Sequence, residues 1–349
     1  MISRAETKQL QGLSILAMVC LHLFCTVEPT FTPIAYATGV PLVYFLGQAA
    51  DFCVMAYCFC SGYGLMAAFM QANGDKKKYM KGRLKGLWDF ANTYWLILIL
   101  FACAALVLGK GAEWLNSPLT FLGNATSIWY TYNGAWWFVS TYIFIVLLSP
   151  WVFSAAQKHP KTLAVIAVTV YVVSYKIRFS GIEGLLLQHI SRLGMSYAEL
   201  LIGVYFYQYQ WMDWIQRKWD QLIPACLKTF LLIAVTVVTI IVRRYVATLF
   251  VAPASGLLFI TVYLLLSRRY SSFEKIFGFW GNHSTNIWLL HMFFYLPMYG
   301  GLAYYAKYDV LVFLSLLAMS LCASYIIKII QMLLSHGTKL ILYLKNTHK

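Results

Sequence analysis

Residues 42–69 read LVYFLGQAADFCVMAYCFCSGYGLMAAF and contain one charged side chain, Asp51. An apolar run of this length predicts a membrane-spanning α-helix, because about 20 such residues cross the roughly 30 Å hydrocarbon core of a bilayer. The run is longer than a straight crossing needs. We therefore expect its helix to extend past the membrane or to bend near Gly62 and Gly64.

The rest of the chain has the same character. Of its 349 residues, 61% are hydrophobic and 11% are charged, whereas soluble domains average roughly 45–50% and about 25%. This excludes a water-soluble enzyme and predicts an all-α polytopic membrane protein, with a single integral membrane domain over residues 1–349 and no appended soluble domain. Ten apolar runs predict the spans: Leu10–Val27, Leu42–Phe69, Leu87–Leu108, Trp136–Phe153, Leu163–Tyr175, Gly194–Tyr209, Ala225–Val242, Leu249–Leu266, Ser284–Leu302 and Val310–Leu334.

The positive charges predict how these spans are oriented. The chain has 27 Lys and Arg against 12 Asp and Glu, and the basic residues flank the apolar runs. This pattern indicates contact with anionic membrane lipids and control of topology rather than nucleic-acid binding. With the N-terminus inside, 20 basic residues lie on the cytoplasmic side, which predicts that both termini are cytoplasmic. The other seven lie outside: Lys110, Lys176, Arg178, Arg192, Arg243, Arg244 and Lys307.

Four of the ionisable residues inside predicted spans stand out as functional candidates, because such side chains are costly there. His22 lies about 18 Å along the helix from Leu10, beyond the midplane toward the outside. A histidine there is a candidate general base, or it makes a structural hydrogen bond to a neighbouring helix. Asp51 lies at a comparable depth and either orients His22 or faces a water-filled outer vestibule.

The other two ionisable residues are weaker candidates. His291 either orients a reacting group or makes a helix–helix contact, and Glu199 either has a functional role or pairs with Arg178 or Arg192. His283 is expected to be solvated, and it lies about 12 Å along the helix from His291, too far for a shared metal ion. The eight cysteines lie in apolar runs and behave as small hydrophobic residues, so we expect neither a disulfide nor a metal site.

Three short segments add candidate binding residues. The small residues of Ser61-Gly62-Tyr63-Gly64 let helices approach closely, or leave room for a slender ligand. Asn133-Gly134-Ala135-Trp136-Trp137-Phe138 opens the fourth span at the outer surface, where tryptophans ordinarily form an interfacial belt. The basic run from Lys76 to Lys85 mostly contacts anionic lipid, but Arg83 and Lys85 are candidates to bind the phosphates of a nucleotide-bearing cofactor.

Taken in order, these segments resemble the acyltransferase-3 family, integral membrane O-acyltransferases of bacterial cell-surface glycans. The resemblance covers the chain to about Tyr295. The segments that carry it are Lys8-Gln9-Leu10-Gln11-Gly12 leading to His22, Ser61-Gly62-Tyr63-Gly64, Lys81-Gly82-Arg83-Leu84, Asn133-Gly134-Ala135-Trp136-Trp137-Phe138, and Gly281-Asn282-His283-Ser284 leading to Trp288 and His291.

The resemblance implies ten helices in the cell membrane, acetyl-CoA as a cytoplasmic donor, and a glycan or lipid-linked saccharide outside as acceptor. It also implies that His22 is catalytic, and no metal is involved. Around it we expect three groups of site residues: catalytic His22, Asp51 and His291; acetyl-CoA-binding Arg4, Lys8, Arg83, Lys85, Ser61 and Tyr63; and acceptor-binding Asn133, Trp136 and Trp137.

One position departs from the family pattern. The family usually carries Arg or Lys eleven residues before the histidine of the first span, and this chain has Gln11 there. Gln11, Lys8 and Arg4 all lie within about 40° of the helix face of His22. We therefore expect Lys8 or Arg4 to supply the missing charge.

The alternative function is a transporter or flippase of a small or lipid-linked solute, in which the intramembrane ionisable groups form a proton or substrate path. Against it, the sequence shows no internal repeat and no paired Gly/Pro-broken helices in corresponding halves. Binding of acetyl-CoA discriminates between the two functions, because a transporter of such a solute has no reason to bind it.

Overall fold

A computed structural model describes residues 1–26, 31–182, 184–246 and 248–347, with side chains up to residue 335. The predicted end of the first span, Val27, lies outside the described residues. Nearly all of the described chain is helical, which confirms the all-α fold class. The strands found in this part of the chain are Tyr36–Ala37 and Val40–Pro41, which pair antiparallel between the first two helices.

The described α-helices, numbered in chain order, are α1 (Arg4–Phe24), α2 (Leu42–Ala49), α3 (Phe52–Gln71), α4 (Lys76–Val107), α5 (Gly111–Leu115), α6 (Pro118–Ala125), α7 (Trp137–Lys158), α8 (Pro160–Phe179), α9 (Leu185–Gln208), α10 (Trp211–Leu222), α11 (Ala225–Tyr245), α12 (Ala252–Arg269), α13 (Ser272–Leu290), α14 (Met292–Tyr295) and α15 (Asp309–Thr347). Short 3₁₀ helices cover Gly134–Trp136, Leu249–Val251, Pro297–Tyr299 and Leu302–Ala306.

Within the described residues, seven helical segments are long and apolar enough to cross a membrane. They match seven of the ten predicted spans, so the chain is a polytopic membrane protein, and the number of ten crossings stays a prediction. The seven segments are Leu42–Gln71, Lys76–Val107, Gly134–Lys158, Pro160–Phe179, Ala225–Tyr245, Leu249–Arg269 and Asp309–Ser335.

The other three predicted spans also lie on helices, namely α1, α9 and α13. They are less apolar along their length, and they carry three of the four ionisable candidates, His22, Glu199 and His291. Helices α1 and α9 bury most of one face against other helices of the protein. A helix that faces protein rather than lipid tolerates such polar residues, because its neighbours satisfy their hydrogen bonds.

Two predicted boundaries are wrong. The long run from Leu42 is interrupted at Ala50–Asp51, between α2 and α3, and α3 then continues through Gly62 and Gly64, the glycines near which a bend was expected. The run Ser284–Leu302 is not one helix, since α13 begins at Ser272 and the chain breaks at His291 and again before Pro297. Polar residues early in α13 hide its beginning from a search for apolar runs.

Helix α1 begins six residues earlier than the predicted span. The side chain of Ser3 accepts a hydrogen bond from the Glu6 backbone N–H at 3.1 Å, and a Glu6 oxygen accepts one from the Ser3 N–H at 2.7 Å. This reciprocal pair is a capping box, which satisfies two of the unpaired N–H groups at a helix start. The Ser-x-x-Glu spacing is visible in the sequence and could have placed this boundary.

The chain divides into two compact units, each built from separate segments. The first unit comprises Met1–Leu87 and Trp137–Ser284, and the second comprises Trp88–Trp136 and Thr285–Lys349. Two of the boundaries fall within α4 and α13, and the third lies at the start of α7. The prediction of a single acyltransferase domain over residues 1–349 stays a prediction.

Glycines allow the central helices of the first unit to touch backbone to backbone. A Cβ atom on Gly62 of α3 would lie 2.0 Å from the Leu200 carbonyl oxygen of α9, and one on Gly203 would lie 2.1 Å from the Phe59 carbonyl oxygen. Helices α1 and α13 cross in the same way, at Gly281. Within a membrane the hydrophobic effect does not drive helices together, so close packing at small residues holds them in contact.

Candidate active site

His22 lies in the last turn of α1, three residues before its C-cap, and its side chain is half-buried. Because α1 begins at Arg4, His22 is about 27 Å along the helix from its start. The end of α1 is packed tightly, since a Cβ atom on Gly47 of α2 would lie 2.5 Å from both the carbonyl carbon and the oxygen of Phe24. The last turn of α1 is therefore held directly against α2.

Asp51 lies at the break between α2 and α3, and its carboxylate forms an ion pair with Arg243 of α11. Both side chains are buried, with 6% of Asp51 and 3% of Arg243 exposed. The hydrogen bond of the Asp51 carboxylate is thus with Arg243, and a direct role of Asp51 at His22 stays a prediction. In the sequence Arg243 is recognisable only as an outer topological charge, because its partner Asp51 lies 192 residues away.

Glu199 of α9 is buried against α3, with 5% of the residue exposed. Its hydrogen bond is with Cys58, whose thiol also bonds to Ser196. The expected pairing of Glu199 with Arg178 or Arg192 is therefore wrong. Oε2 of Glu199 has no hydrogen-bond partner among the described residues.

On the predicted cytoplasmic side, Arg83 and Lys85 differ in their surroundings. Lys85 is exposed, like Lys81 and the preceding lysines. The half-buried Arg83 places its guanidinium 5.9 Å from the ring centre of Tyr79, and its buried Nε has no hydrogen-bond partner among the described residues. An unpartnered donor on a fixed guanidinium suits a phosphate oxygen, so Arg83 is the stronger candidate of the two.

The candidate charges on α1 also differ. Arg4 is exposed, whereas Lys8 is half-buried and donates from Nζ to the Gly281 carbonyl oxygen at 3.3 Å. Gln11 is half-buried, and its backbone carbonyl oxygen accepts a hydrogen bond from the Tyr57 hydroxyl at 3.3 Å. Lys8 is therefore the basic residue that the structure holds inside the α1–α13 contact.

The two glycines of the segment Ser61-Gly62-Tyr63-Gly64 have different surroundings. Gly62 forms the α3–α9 crossing, whereas a Cβ atom on Gly64 would have no atom within 4 Å among its described surroundings. The hydroxyl of the buried Tyr63 accepts from the Ile2 N–H at 2.7 Å. Ser61 is half-buried, and the predicted role of Ser61 and Tyr63 in binding a ligand stays a prediction.

In the second unit, Asn133 and Trp136 hold the end of α13. Asn133 Nδ2 and Trp136 Nε1 each donate to the Leu289 carbonyl oxygen at 3.0 Å. Trp288 Nε1 donates in return to the Ala135 carbonyl oxygen at 3.1 Å. Both Asn133 and Trp136 are fully buried and pack inside the second unit; their predicted role in acceptor binding stays a prediction.

This contact fixes the turn that carries His291, a fully buried residue at the break between α13 and α14. Its Nδ1 lies 3.0 Å from the Ile287 carbonyl oxygen and 2.9 Å from that of Trp288. Because carbonyl oxygens only accept, Nδ1 carries the proton in the neutral imidazole, and Nε2 is the basic nitrogen. A fixed tautomer is what a general base or an orienting group needs.

The first unit buries His283, which sequence analysis expected to be solvated. Its exposed fraction is 4%, and its ring lies 5.3 Å from that of Phe279.

Within the described residues, no group of three His, Cys, Asp or Glu side chains is arranged to hold a metal ion, and the eight cysteines are free thiols.

Trp137 is the one predicted acceptor-binding residue with a half-exposed ring. The guanidinium of Arg192 lies over that ring at 5.2 Å, and one turn along α7 the Ser140 hydroxyl lies 3.3 Å from His189 Nδ1. The aromatic ring and three polar groups lie together at the predicted outer ends of α7 and α9. Arg192 and His189 were missed because only the three-dimensional packing brings α9 to Trp137.

Comparison with known proteins identifies a family to which the chain is similar. The profile of the acyltransferase-3 family, described as an acyltransferase domain, matches residues 7–329. This range contains every predicted site residue except Arg4. No curated protein and no solved structure matches the chain.

Proposed function

Because the chain belongs to the acyltransferase-3 family, we propose that it moves an acetyl group from cytoplasmic acetyl-CoA to a hydroxyl of an extracytoplasmic or lipid-linked glycan in the cell membrane. The family match over residues 7–329 is the observation that carries this proposal. It favours acyl transfer over transport, because the match covers nearly the whole chain.

In this reaction His22 is the general base. It removes the proton of the acceptor hydroxyl as the oxygen attacks the thioester carbonyl carbon; the new C–O bond forms, the C–S bond breaks, and the proton passes to the leaving CoA thiolate. General-base catalysis of this kind contributes about 10²–10⁴-fold in rate. The place of His22 in the last turn of α1, beside tightly packed α2, supports this role.

Arg83 is the residue that we assign to the CoA phosphates, with Lys8 and Lys85 adding positive charge. The assignment is supported by the unpartnered, buried Nε of Arg83. Ser61 and the open side of Gly64 give the pantetheine arm room beside α3. The half-exposed Trp137, with Arg192 above it, contacts the acceptor, and the orienting role expected of His291 stays a prediction.

Acetyl-CoA binding to the purified protein, measured by isothermal titration calorimetry, tests the donor assignment. A charge-assisted hydrogen bond contributes about 1.5–3 kcal/mol, so Arg83→Gln should weaken binding by about 10-fold or more, and the loss should shrink at high salt. Lys77→Gln removes an exposed charge from the same basic run and should leave the affinity within about twofold.

Two results would count against this proposal. No heat of binding for acetyl-CoA with the wild-type protein would contradict the donor and favour the transporter alternative. Equal affinities for the wild-type, Arg83→Gln and Lys77→Gln proteins would remove Arg83 from the donor site.

A further inference from the structure

Arg243 connects three parts of the first unit through one buried guanidinium. Its Nη1 donates to the Val246 carbonyl oxygen at 2.6 Å and to that of Thr248 at 2.9 Å, and its Nη2 donates to Asp51. The side chain therefore ties the chain that follows α11 to the break between α2 and α3. A planar fork with several donors is required for this, and lysine cannot supply it.

Neither Asp51 nor Arg243 can be replaced alone by a neutral residue without a large loss of stability. Asp51 caps no helix N–H, and its Oδ1 and the Nε of Arg243 are both buried without hydrogen-bond partners among the described residues. Removing one partner would leave a buried, uncompensated charge, which is strongly destabilising. Because the pair is neutral as a whole, its effect on distant groups is one of position rather than of charge.

The position that the pair controls is that of α2. This eight-residue helix ends at Ala49, directly before the Ala50–Asp51 break. Arg244, next to Arg243, donates to the Gln48 side chain at 3.4 Å and lies 5.7 Å from the ring centre of Phe45. Arg243 thus binds the break between α2 and α3, and the adjacent Arg244 contacts α2 itself.

On its other side α2 touches the end of α1. The contact is Gly47 against the Phe24 backbone, where an added Cβ atom would lie 2.5 Å from the carbonyl group. Phe24 follows His22 by two residues in the same turn of α1. A displacement of α2 therefore passes to His22 without an intervening side chain that could absorb it.

We propose that Arg243 and Asp51 are positioning residues that hold α2 against the last turn of α1 and thereby place His22 for acyl transfer. The inference rests on the proposed function of His22 as general base. A misplacement of about 1 Å in a catalytic group can reduce the rate about 100-fold, so contacts that fix this turn of α1 contribute to the rate.

The test uses a double replacement that leaves no buried charge, Asp51→Asn with Arg243→Gln, in the full-length protein. Its matched control is Glu6→Gln with Arg268→Gln, because that ion pair, at 2.6 Å, holds the opposite end of the same helix. Glu6 and His22 are separated by about 24 Å along α1. Gly47→Ala is a third variant, which displaces α2 from Phe24 while the ion pair stays intact.

Three quantities are measured for each variant: kcat and KM for acetyl-CoA in acetyl transfer to an envelope glycan fraction, the thermal unfolding midpoint in detergent, and the rate at which diethylpyrocarbonate modifies His22, followed by mass spectrometry. We expect the Asp51/Arg243 variant and Gly47→Ala to lose about 10–100-fold in kcat with KM within about twofold. The His22 modification rate should change in both. The Glu6/Arg268 control should unfold at a lower temperature with kcat and His22 reactivity close to wild type.

Wild-type kcat and wild-type His22 reactivity in the Asp51/Arg243 variant would overturn the inference. If that variant does not fold, Gly47→Ala decides by the same criteria. His22→Ala, measured alongside, separates the two claims. An active His22→Ala protein refutes the proposed base. If His22→Ala is inactive but Gly47→Ala has wild-type kinetics, only the positioning role is refuted.

Discussion

Replacing Asn133 with Ala and Trp136 with Phe together should destabilise the protein by more than the two single replacements added. Both side chains donate to the Leu289 carbonyl oxygen at 3.0 Å in a buried environment. Each single replacement leaves this carbonyl with one side-chain donor and should cost about 0.5–1.5 kcal/mol for the lost bond. The double replacement removes both donors, and a buried unsatisfied group costs a further 1–3 kcal/mol or so.

The coupling free energy between the two replacements measures the cost of leaving the Leu289 carbonyl oxygen without a side-chain donor. Asn133→Ala also removes the oxygen that accepts from the Ala135 N–H at 2.9 Å, but this cost occurs in both the single and the double variant and cancels in the cycle. The expected coupling free energy is therefore about 1–3 kcal/mol. Unfolding of the four proteins in mixed SDS and dodecyl maltoside micelles, followed by circular dichroism, measures it.

Trp95→Phe provides the matched control. Trp95 Nε1 donates to the Ala125 carbonyl oxygen at 2.9 Å, away from Leu289. Combined with Asn133→Ala, it should give free energies of unfolding that add to within about 0.5 kcal/mol. Equal additivity for Trp136→Phe and Trp95→Phe would refute the conclusion that Asn133 and Trp136 share one carbonyl.

Two further predictions concern the ends of the helices. Burial raises the pKa of Glu6, but the hydrogen bonds from Arg268 and from the Ser3 N–H outweigh it and hold that pKa below its usual value of 4.5. The ionised Glu6 therefore stabilises the folded state above pH 4.5, and this stability should be lost as the pH falls further. In pH-dependent unfolding, Glu6→Gln should abolish that loss. A cysteine placed at Ser117 should react with an impermeant maleimide on intact cells, whereas one at Lys77 should react only after permeabilisation, and equal labelling of both would contradict the predicted orientation.

The length and apolarity of single runs are local properties, and they predicted the all-α membrane fold. They also located seven helices that meet the membrane criteria of length and hydropathy. They failed where packing against other helices replaces contact with lipid, as in α13, whose polar beginning at Ser272 did not look like a span. The early start of α1 was a different case, because the Ser3–Glu6 capping box was visible in the sequence.

The candidate site was only partly predictable, because its contacts join distant parts of the chain. The motif order pointed to the acyltransferase-3 family, and the family match confirms it. The sequence singled out Asp51 as a costly charge but could not identify its partner, 192 residues away. It likewise singled out Asn133 and Trp136 without showing that both serve a carbonyl more than 150 residues away.

Transfer of radiolabelled acetyl from acetyl-CoA into envelope glycan, by membranes that contain either wild-type protein or His22→Ala, tests the central claim most directly. His159→Ala is the control, since His159 is exposed at the turn between α7 and α8. The proposed mechanism predicts that His22→Ala binds acetyl-CoA normally but transfers acetyl about 10²–10⁴-fold more slowly, while His159→Ala matches wild type. A His22→Ala protein that transfers acetyl at the wild-type rate would contradict the assignment of His22 as the base.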